Sequence, residues 1–326
     1  MQESCIMKKR FLVAAVAATL VSPLAAQADA TVYGNVHVSI DSKDSDADGP
    51  QMNSNTSAIG VKGKEDLGGG MSALFKAEFQ FDTTEVSSGA LKNRDQWVGL
   101  KGAMGTVKFG TMSSNYKMMG GKIDPMYRTR LEGRGFMNMQ SGLHGGASEN
   151  GGRMENALQY VSPKMGGMNV VFNYSFSGNT DETMGLGVHY KTKQIIAFVD
   201  YLDVQAVNGG NISLPAGSTS EAAFKIGGSY KMDAMTFGLQ YESVEDVVGS
   251  DVVFASFNYQ LNDNDNIAVT IGDVDLADDM GYAVMYNHKM SKRTNVYAGY
   301  GDNASTGDGT TGNDDQDLTF GIRHKF

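Results

Sequence analysis

The sequence predicts an all-β fold: a transmembrane antiparallel β-barrel of about 16 strands. Three observations carry this expectation. Apolar and polar residues alternate with a period of two in segment after segment, short turns alternate with long polar loops, and an export signal opens the chain. The alternation is plainest in the closing segment. There Leu318, Phe320, Ile322, His324 and Phe326 share one face, and Thr319, Gly321, Arg323 and Lys325 share the other. A strand with one greasy and one charged face, ending on the aromatic Phe326, suits a barrel wall between lipid and water.

The same pattern places strands near 32–40, 57–65, 72–82, 93–102, 106–111, 155–162, 168–177 and 184–191 in the first part of the chain. It continues with 195–203, 222–231, 235–243, 251–261, 266–273, 281–289, 294–301 and 317–326. Typical members are Phe237, Leu239 and Tyr241 set against Thr236, Gly238, Gln240 and Glu242, and Val253, Ala255, Phe257 and Tyr259 set against Ser256, Asn258 and Gln260. An even count lets both termini lie on one rim. Short turns are expected at Leu67–Gly70, Ala103–Gly105, Lys164–Gly167, Asn262–Asp265 and Ser291–Arg293, interleaved with longer polar loops at Ser42–Asn53, Val204–Ser220 and Asp302–Gln316. Outer-membrane barrels segregate their connections in this way, whereas a soluble sandwich has no reason to.

The first residues read as a secretory signal peptide, residues 1–28. Lys8, Lys9 and Arg10 precede an apolar run from Phe11 to about Leu20, too short to span a bilayer, and small residues follow Pro23. Cleavage is expected after Ala28, with Ala30 as the alternative, and residues 1–6 ahead of Met7 read as an upstream extension. The single cysteine, Cys5, falls in this segment, so no disulfide or thiol chemistry is expected. Residues 29–326 then form one domain, with no linker or shift of composition to divide them. Glycine is abundant (41) and proline scarce (5), and Pro50, Pro125, Pro163 and Pro215 all fall in expected loops or turns, leaving the strands free to donate every ladder hydrogen bond.

Several short motifs occur in a fixed order along the chain: Val32-Tyr-Gly34, Ile59-Gly-Val-Lys-Gly63, Glu65-Asp-Leu-Gly68, Arg94 with Trp97-Val-Gly-Leu100, Gly105-Thr-Val-Lys-Phe-Gly110, Arg153-Met-Glu-Asn156, Gln159-Tyr-Val-Ser-Pro163 and Gly321-Ile-Arg-His-Lys-Phe326. In these the sequence resembles the general, non-specific trimeric porins of Gram-negative outer membranes. The resemblance implies sixteen strands, a homotrimer, and a long third external loop folded into the lumen as a constriction. It also implies passive diffusion of ions and small hydrophilic solutes through a water-filled channel. On the same ground Arg94 and Arg153 are expected in a basic cluster on the wall, facing acidic loop residues for which Asp124 and Glu132 are the candidates. The chain departs from that pattern at Asn35 and Ala58, where basic wall residues are often found.

The residues single out the same loop without the resemblance. The connection between Gly110 and Arg153 is far longer than the rest, and loops of that length are generally functional or disordered. It carries Lys117, Lys122, Arg128, Arg130, Arg134 and Arg153 against Asp124, Glu132 and Glu149, an excess of positive charge in a chain of formal net charge −10. Strand parity adds lumen candidates: Arg94 and Gln96 if Trp97 faces lipid, Glu78 and Gln80 if Phe79 and Phe81 do, and Asn35 if Val36 does. Tyr33 and Tyr297 share lumen parity. Local cations outweigh the distant acidic loops in this reading, because exposed charges are screened within about 8 Å at physiological salt. A mild preference for anions is therefore expected.

Other readings find less support. Asp44-Ser-Asp-Ala-Asp-Gly49 imitates the start of a calcium-binding loop, but Asn55 stands where the bidentate Glu belongs. The five histidines show no ligand spacing, so neither a metal nor another cofactor is expected. No nucleophile elbow or phosphate-binding loop points to an enzyme. Acidic loops disfavour nucleic acid, and could hold divalent cations that bridge to lipopolysaccharide in the surrounding outer-membrane lipid. The alternatives kept are a substrate-specific channel and a structural or adhesive outer-membrane protein.

Overall fold

In lipid, strands can span only if the sheet closes on itself, because a free edge leaves backbone N–H and C=O groups without partners. A computed structural model of the chain describes residues 29–44, 49–85, 91–137, 152–176, 183–204, 222–245, 251–275, 280–303 and 316–326. In it the sheet does close: β1 (Asp29–Lys43) pairs antiparallel with β17 (Gln316–Lys325), with Asn35 opposite Lys325 and Lys43 opposite Asp317. Phe326 continues the seam, its N–H donating to the Gly34 carbonyl at 3.1 Å and its own carbonyl accepting from the Gly34 N–H at 3.1 Å.

Between these lie β2 (Gln51–Ser54), β3 (Ala58–Gly68), β4 (Met71–Gln80), β5 (Lys92–Gly102), β6 (Gly105–Ser113), β7 (Arg153–Val161), β8 (Met168–Ser175) and β9 (Thr183–Lys191). The second half adds β10 (Ile195–Val204), β11 (Ala222–Met232), β12 (Met235–Val244), β13 (Val252–Gln260), β14 (Asp265–Val274), β15 (Gly281–Lys289) and β16 (Thr294–Asp302). β2 and β3 both pair with β1, so they form one staggered wall strand interrupted at residues 55–57, and the barrel has sixteen strands. β2 overlaps the end of the loop expected at Ser42–Asn53. Its sequence, Gln-Met-Asn-Ser, has no apolar alternation, and it is a strand only because β1 offers it a partner.

The side chains are sorted inside out relative to a soluble protein. Val36, Ile40, Val98, Leu100, Phe109, Leu239, Val253, Ile271, Leu318, Phe320 and Ile322 are exposed. Asn35, His37, Asp41, Asp200, Lys225, Gln240, Glu242, Thr270 and Thr319 are buried. The polar face points into the barrel and the apolar face points out, as a lipid-embedded wall requires. Short turns lie at the rim that carries both ends of the barrel, and the longer connections at the other. The Gly69–Gly70 turn after β3 needs glycine because φ is +60° and +78° there, in the left-handed region.

The predicted signal peptide, residues 1–28, lies outside the described residues, as do residues 45–48 of the calcium-loop-like run and most of the loops expected at 204–220 and 302–316. Purified in detergent, the protein is expected to give a β-rich circular dichroism spectrum and to migrate faster on gels before boiling than after. A predominantly helical spectrum would overturn the barrel.

Candidate functional site

Arg94 and Asp95 are adjacent in sequence, so regular parity would send one of them into lipid. β5 avoids this with a bulge: Ala77 pairs with Gln96 and Phe79 with Asn93, so Arg94 and Asp95 together oppose Glu78 alone and both turn inward. The bulge reverses the parity of every later residue on the strand. Trp97 and Lys108 line the lumen, while Val98, Leu100 and Phe109 are exposed on the outer face. Gln96 shares the parity of Val98 and Leu100 and donates to the Asn93 side chain at 3.0 Å, so its expected lumen position is corrected.

A row of alternating charges results. Arg94 Nε donates to Glu78 Oε1 at 2.6 Å and its Nη1 to Gln80 at 2.9 Å. Lys76 Nζ lies 3.2 Å from Glu78 and 2.8 Å from Asp95, and Arg153 Nε donates to the other Asp95 oxygen at 2.7 Å. Tyr33 OH donates to Glu78 Oε2 at 2.8 Å. Lys108 Nζ sits 4.8 Å from the centre of the Trp97 ring and donates to Gln159 at 2.9 Å.

The facing element is the connection from β6 to β7. Ser114 caps the helix α1 (Asn115–Ile123) by accepting the Lys117 N–H at 3.1 Å, and Lys122 lies in its last turn, where a cation suits the helix dipole. Asp124 then ties the next stretch into a compact turn, one carboxylate oxygen accepting the Met126 N–H at 2.8 Å and the other the Gly133 N–H at 2.9 Å. The short helix α2 (Gly133–Phe136) follows. Glu132 accepts the Arg128 N–H and the Arg134 guanidinium, each at 2.7 Å, and Arg130 Nε donates to Asp317 of β17 at 2.7 Å.

The connection packs against the inward face of the far wall. Met119, Ile123, Met126, Leu131, Phe136 and Met137 form one buried cluster with Phe198, Phe254, Ala268, Met285 and Tyr297 of the strands. Polar anchors flank it. Asn115 Nδ2 donates to Asp200 at 2.9 Å and its oxygen accepts from Asn173 at 2.8 Å; Tyr116 OH donates to Glu242 at 3.0 Å; the buried Lys225 ammonium donates to the Tyr116 carbonyl and lies 4.0 Å from the Tyr116 ring centre. The wall beneath is made of small residues. A Cβ at Gly185 would collide with Asn115, one at Gly272 would lie 2.8 Å from Met137, and one at Gly301 would lie 2.6 Å from Phe136.

Between the connection and the β4–β7 wall is a recess of ≈ 400 Å³. Lys76, Arg94, Lys108, Lys117, Lys122, Arg128 and Arg153 line it against only Glu78 and Asp95. A second recess, of ≈ 470 Å³, has Lys43 and Arg130 balanced by Asp41 and Glu132. The family profile described as Gram-negative porin matches residues 13–324. The chain belongs to the Gram-negative porins.

Outer membrane porin protein 32 of Delftia acidovorans is 28% identical over 327 residues, covering 89% of this porin and 88% of the relative. Major outer membrane protein P.IB of Neisseria lactamica is 26% identical over 278 residues, covering 81% and 77%. Among solved structures, the anion-selective porin from Comamonas acidovorans superposes with a TM-score of 0.73 at 23% identity, covering 92% of this chain and 100% of that one. The trimer form of the outer membrane protein OmpT of Vibrio cholerae superposes at 0.64 with 17% identity, covering 92% and 99%. The chain is an outer-membrane porin, and its family is one of channels.

The porin thus brings four of the expected residues, Arg94, Arg153, Arg128 and Glu78, to one recess. Arg130 and Glu132 line the other. Asp124 is corrected: it is buried, and its carboxylate is spent on the backbone of its own turn rather than on the lumen. Asn35 faces inward as expected, but its amide donates to the Thr56 carbonyl at 3.1 Å, and opposite it in register stands Ala58. Sequence reasoning missed Asp95, Lys76 and Lys108. The adjacent charges Arg94-Asp95 within a strand were the available signal, since a charge left on the lipid face costs about 2–4 kcal/mol at mid-membrane.

Asn115→Ala would strip the Asp200 and Asn173 side chains of a partner, at about 1–3 kcal/mol for each group left unsatisfied. The expected outcome is a loosened connection, seen as faster proteolytic cleavage and noisier single-channel current from a barrel that still shows heat-modifiable migration. Burial raises the Asp124 carboxyl to about 7. Its folded value lies above its unfolded one, so its stabilising contribution is full below about 4 and is lost as pH rises through about 7. Current noise is therefore expected to grow from pH 5 to pH 8, and Asp124→Asn should be noisier throughout, having lost an acceptor, yet flat with pH.

Proposed function

We propose that the recess between the loop and the β4–β7 wall is the selectivity constriction of the pore, and that it favours small anions over cations. One observation carries this reading: seven cationic side chains face two carboxylates there. Glu78 and Asp95 are already shared among Arg94, Lys76 and Arg153, so Lys108, Lys122 and Arg128 remain as uncompensated positive charge toward the passing ion, while burial, with Arg153, Arg134 and Arg94 nearby, disfavours the charged form of Lys117. In a narrow passage with little intervening water such charges act with less screening than the acidic residues of the external loops. The loop narrows the path because it packs on the far wall and holds its cations opposite Arg94 and Arg153.

The likeness to an anion-selective porin supports the same preference. A homotrimer is the assembly proposed, supported by the trimer form among the similar folds. Lipopolysaccharide held through divalent cations at acidic loops and small hydrophilic solutes in the lumen complete the proposed partners.

Reversal potentials across a salt gradient test the charge assignment. The parent porin is expected to favour anions, and Arg94→Ala with Arg153→Ala to shift the potential toward cations; cation selectivity in the parent would overturn the reading. Deleting about ten residues around Arg128–Gly135 is expected to raise single-channel conductance, and unchanged conductance would show that the loop does not set the pore width.

A further inference from the structure

The constriction does not use all of the inward positive charge on this wall. In register across β3, β4 and β5 stand Lys62, Lys76 and Trp97, and one step nearer the short-turn rim stand Lys64, Leu74, Gly99 and, on β6, Lys108. A further step brings Lys101 opposite Ser72. The buried positions Ala58 and Gly60 share parity with Lys62 and Lys64, while Ile59 and Val61 are exposed on the other face, so both lysines point into the lumen. Lys101 has the parity of Trp97, opposite to the exposed Val98 and Leu100.

Lys62 and Lys76 lie directly across from each other, a like-charge pairing that is ordinarily unfavourable. Tyr33 offsets it: its ring lies 5.0 Å from the Lys62 ammonium and 5.9 Å from that of Lys76. Gly60 lets the ring lie flat, since a Cβ there would come within 2.7 Å of the Tyr33 hydroxyl. Lys76 is neutralised by Glu78 and Asp95, whereas Lys62, Lys64 and Lys101 form no ion pair among the described residues; Asp29, opposite Lys64, and Asp66, on the same inward face, are the carboxylates nearest to them in register. Alternate residues on a strand are about 7 Å apart and neighbouring strands about 4.8 Å apart. Lys62 and Lys64 therefore lie within the Debye length of about 10 Å at 0.1 M salt, and Lys101 lies about 12 Å from Lys64.

The geometry points to a cationic track, formed by Lys62, Lys64 and Lys101 on the β3–β5 wall, that draws small multivalent oxyanions between the constriction and the periplasmic mouth and makes conduction depend on which side is dilute. This rests on the reading of the recess as an anion-favouring constriction, and adds a second, axially separate zone to it. In the other recess the charges of Lys43 and Arg130 are balanced by those of Asp41 and Glu132, so it adds no such track. A fixed charge governs selectivity most when the solution bathing it is dilute, because about 1 M salt shortens the screening length to about 3 Å.

The test uses the full porin in planar bilayers, with insertion direction fixed by protease cleavage of the external loops. Potassium chloride, then potassium phosphate at pH 8, is set near 1 M on one side and near 0.1 M on the other, in both directions. With the periplasmic side dilute, Lys62→Gln, Lys64→Gln, Lys101→Gln together are expected to lower the anion-to-cation permeability ratio at least twofold, and more for phosphate than for chloride. With the external side dilute the ratio stays that of the parent. The three corresponding Lys→Arg changes keep the parental ratio in both directions, and heat-modifiable migration reports that each variant is folded. An equal loss from both sides, an equal loss for the two anions, or no loss would overturn the track while leaving the constriction intact. A parent with no anion preference from either side would instead overturn the constriction, and the track with it.

Discussion

Closure of the sheet is the constraint on which everything else in this porin depends. The hydrogen bonds between β1 and β17, extended by the reciprocal pair between Gly34 and Phe326, remove the last free edge. Without water in the bilayer core each unpaired backbone group would cost several kcal/mol. Once the ladder is closed, the outer face must be apolar and the inner face is released from that demand. The interior can then hold Asp200, Lys225 and Glu242 fully buried, provided each meets a partner. Those partners come largely from the loop, through Asn115 and Tyr116, so the loop and the far wall satisfy one another.

The loop lies so close to that wall because the inward positions beneath it are glycines. Gly185, Gly272 and Gly301 leave room for Asn115, Met137 and Phe136 where any side chain would push them into the lumen. The apolar cluster around Met126 and Leu131 adds burial that an external loop would lack. The loop thus packs on one wall, and the proposed passage runs on the side where Arg94, Lys76 and Arg153 stand. Packing on one wall decides which charges on the other wall matter.

Net charge is a poor guide to the charge lining the recess. The chain carries a formal charge of −10, yet its described recess beside the loop is strongly cationic. Distance and screening separate the two quantities: acidic residues in water-filled external loops fade within a Debye length, while charges a few ångströms from a passing ion do not. The bulge at Arg94 and Asp95 orders this wall without adding to its net charge, because it turns one cation and one carboxylate to the lumen and lets Asp95 bridge Lys76 and Arg153.

By itself the sequence determined the barrel, its sixteen wall strands to within a few residues, the direction most side chains face, and the unusual length of the connection between β6 and β7. These are properties of period and length, which a linear pattern carries. It also pointed to Arg94, Arg153, Arg128 and Glu78. It did not determine the parity beyond the bulge, so Gln96 was expected in the lumen and Asp95 went unnoticed, because one inserted residue reverses every later side chain on its strand. Lys76 and Lys108, on the neighbouring strands, stand out only through the partners they meet across the sheet. Nor did it reveal that Asp124 closes its own turn, that Gln51–Ser54 forms a strand, or that glycines spread over several strands form one floor. Those facts depend on which segments become neighbours, and only the tertiary structure decides that.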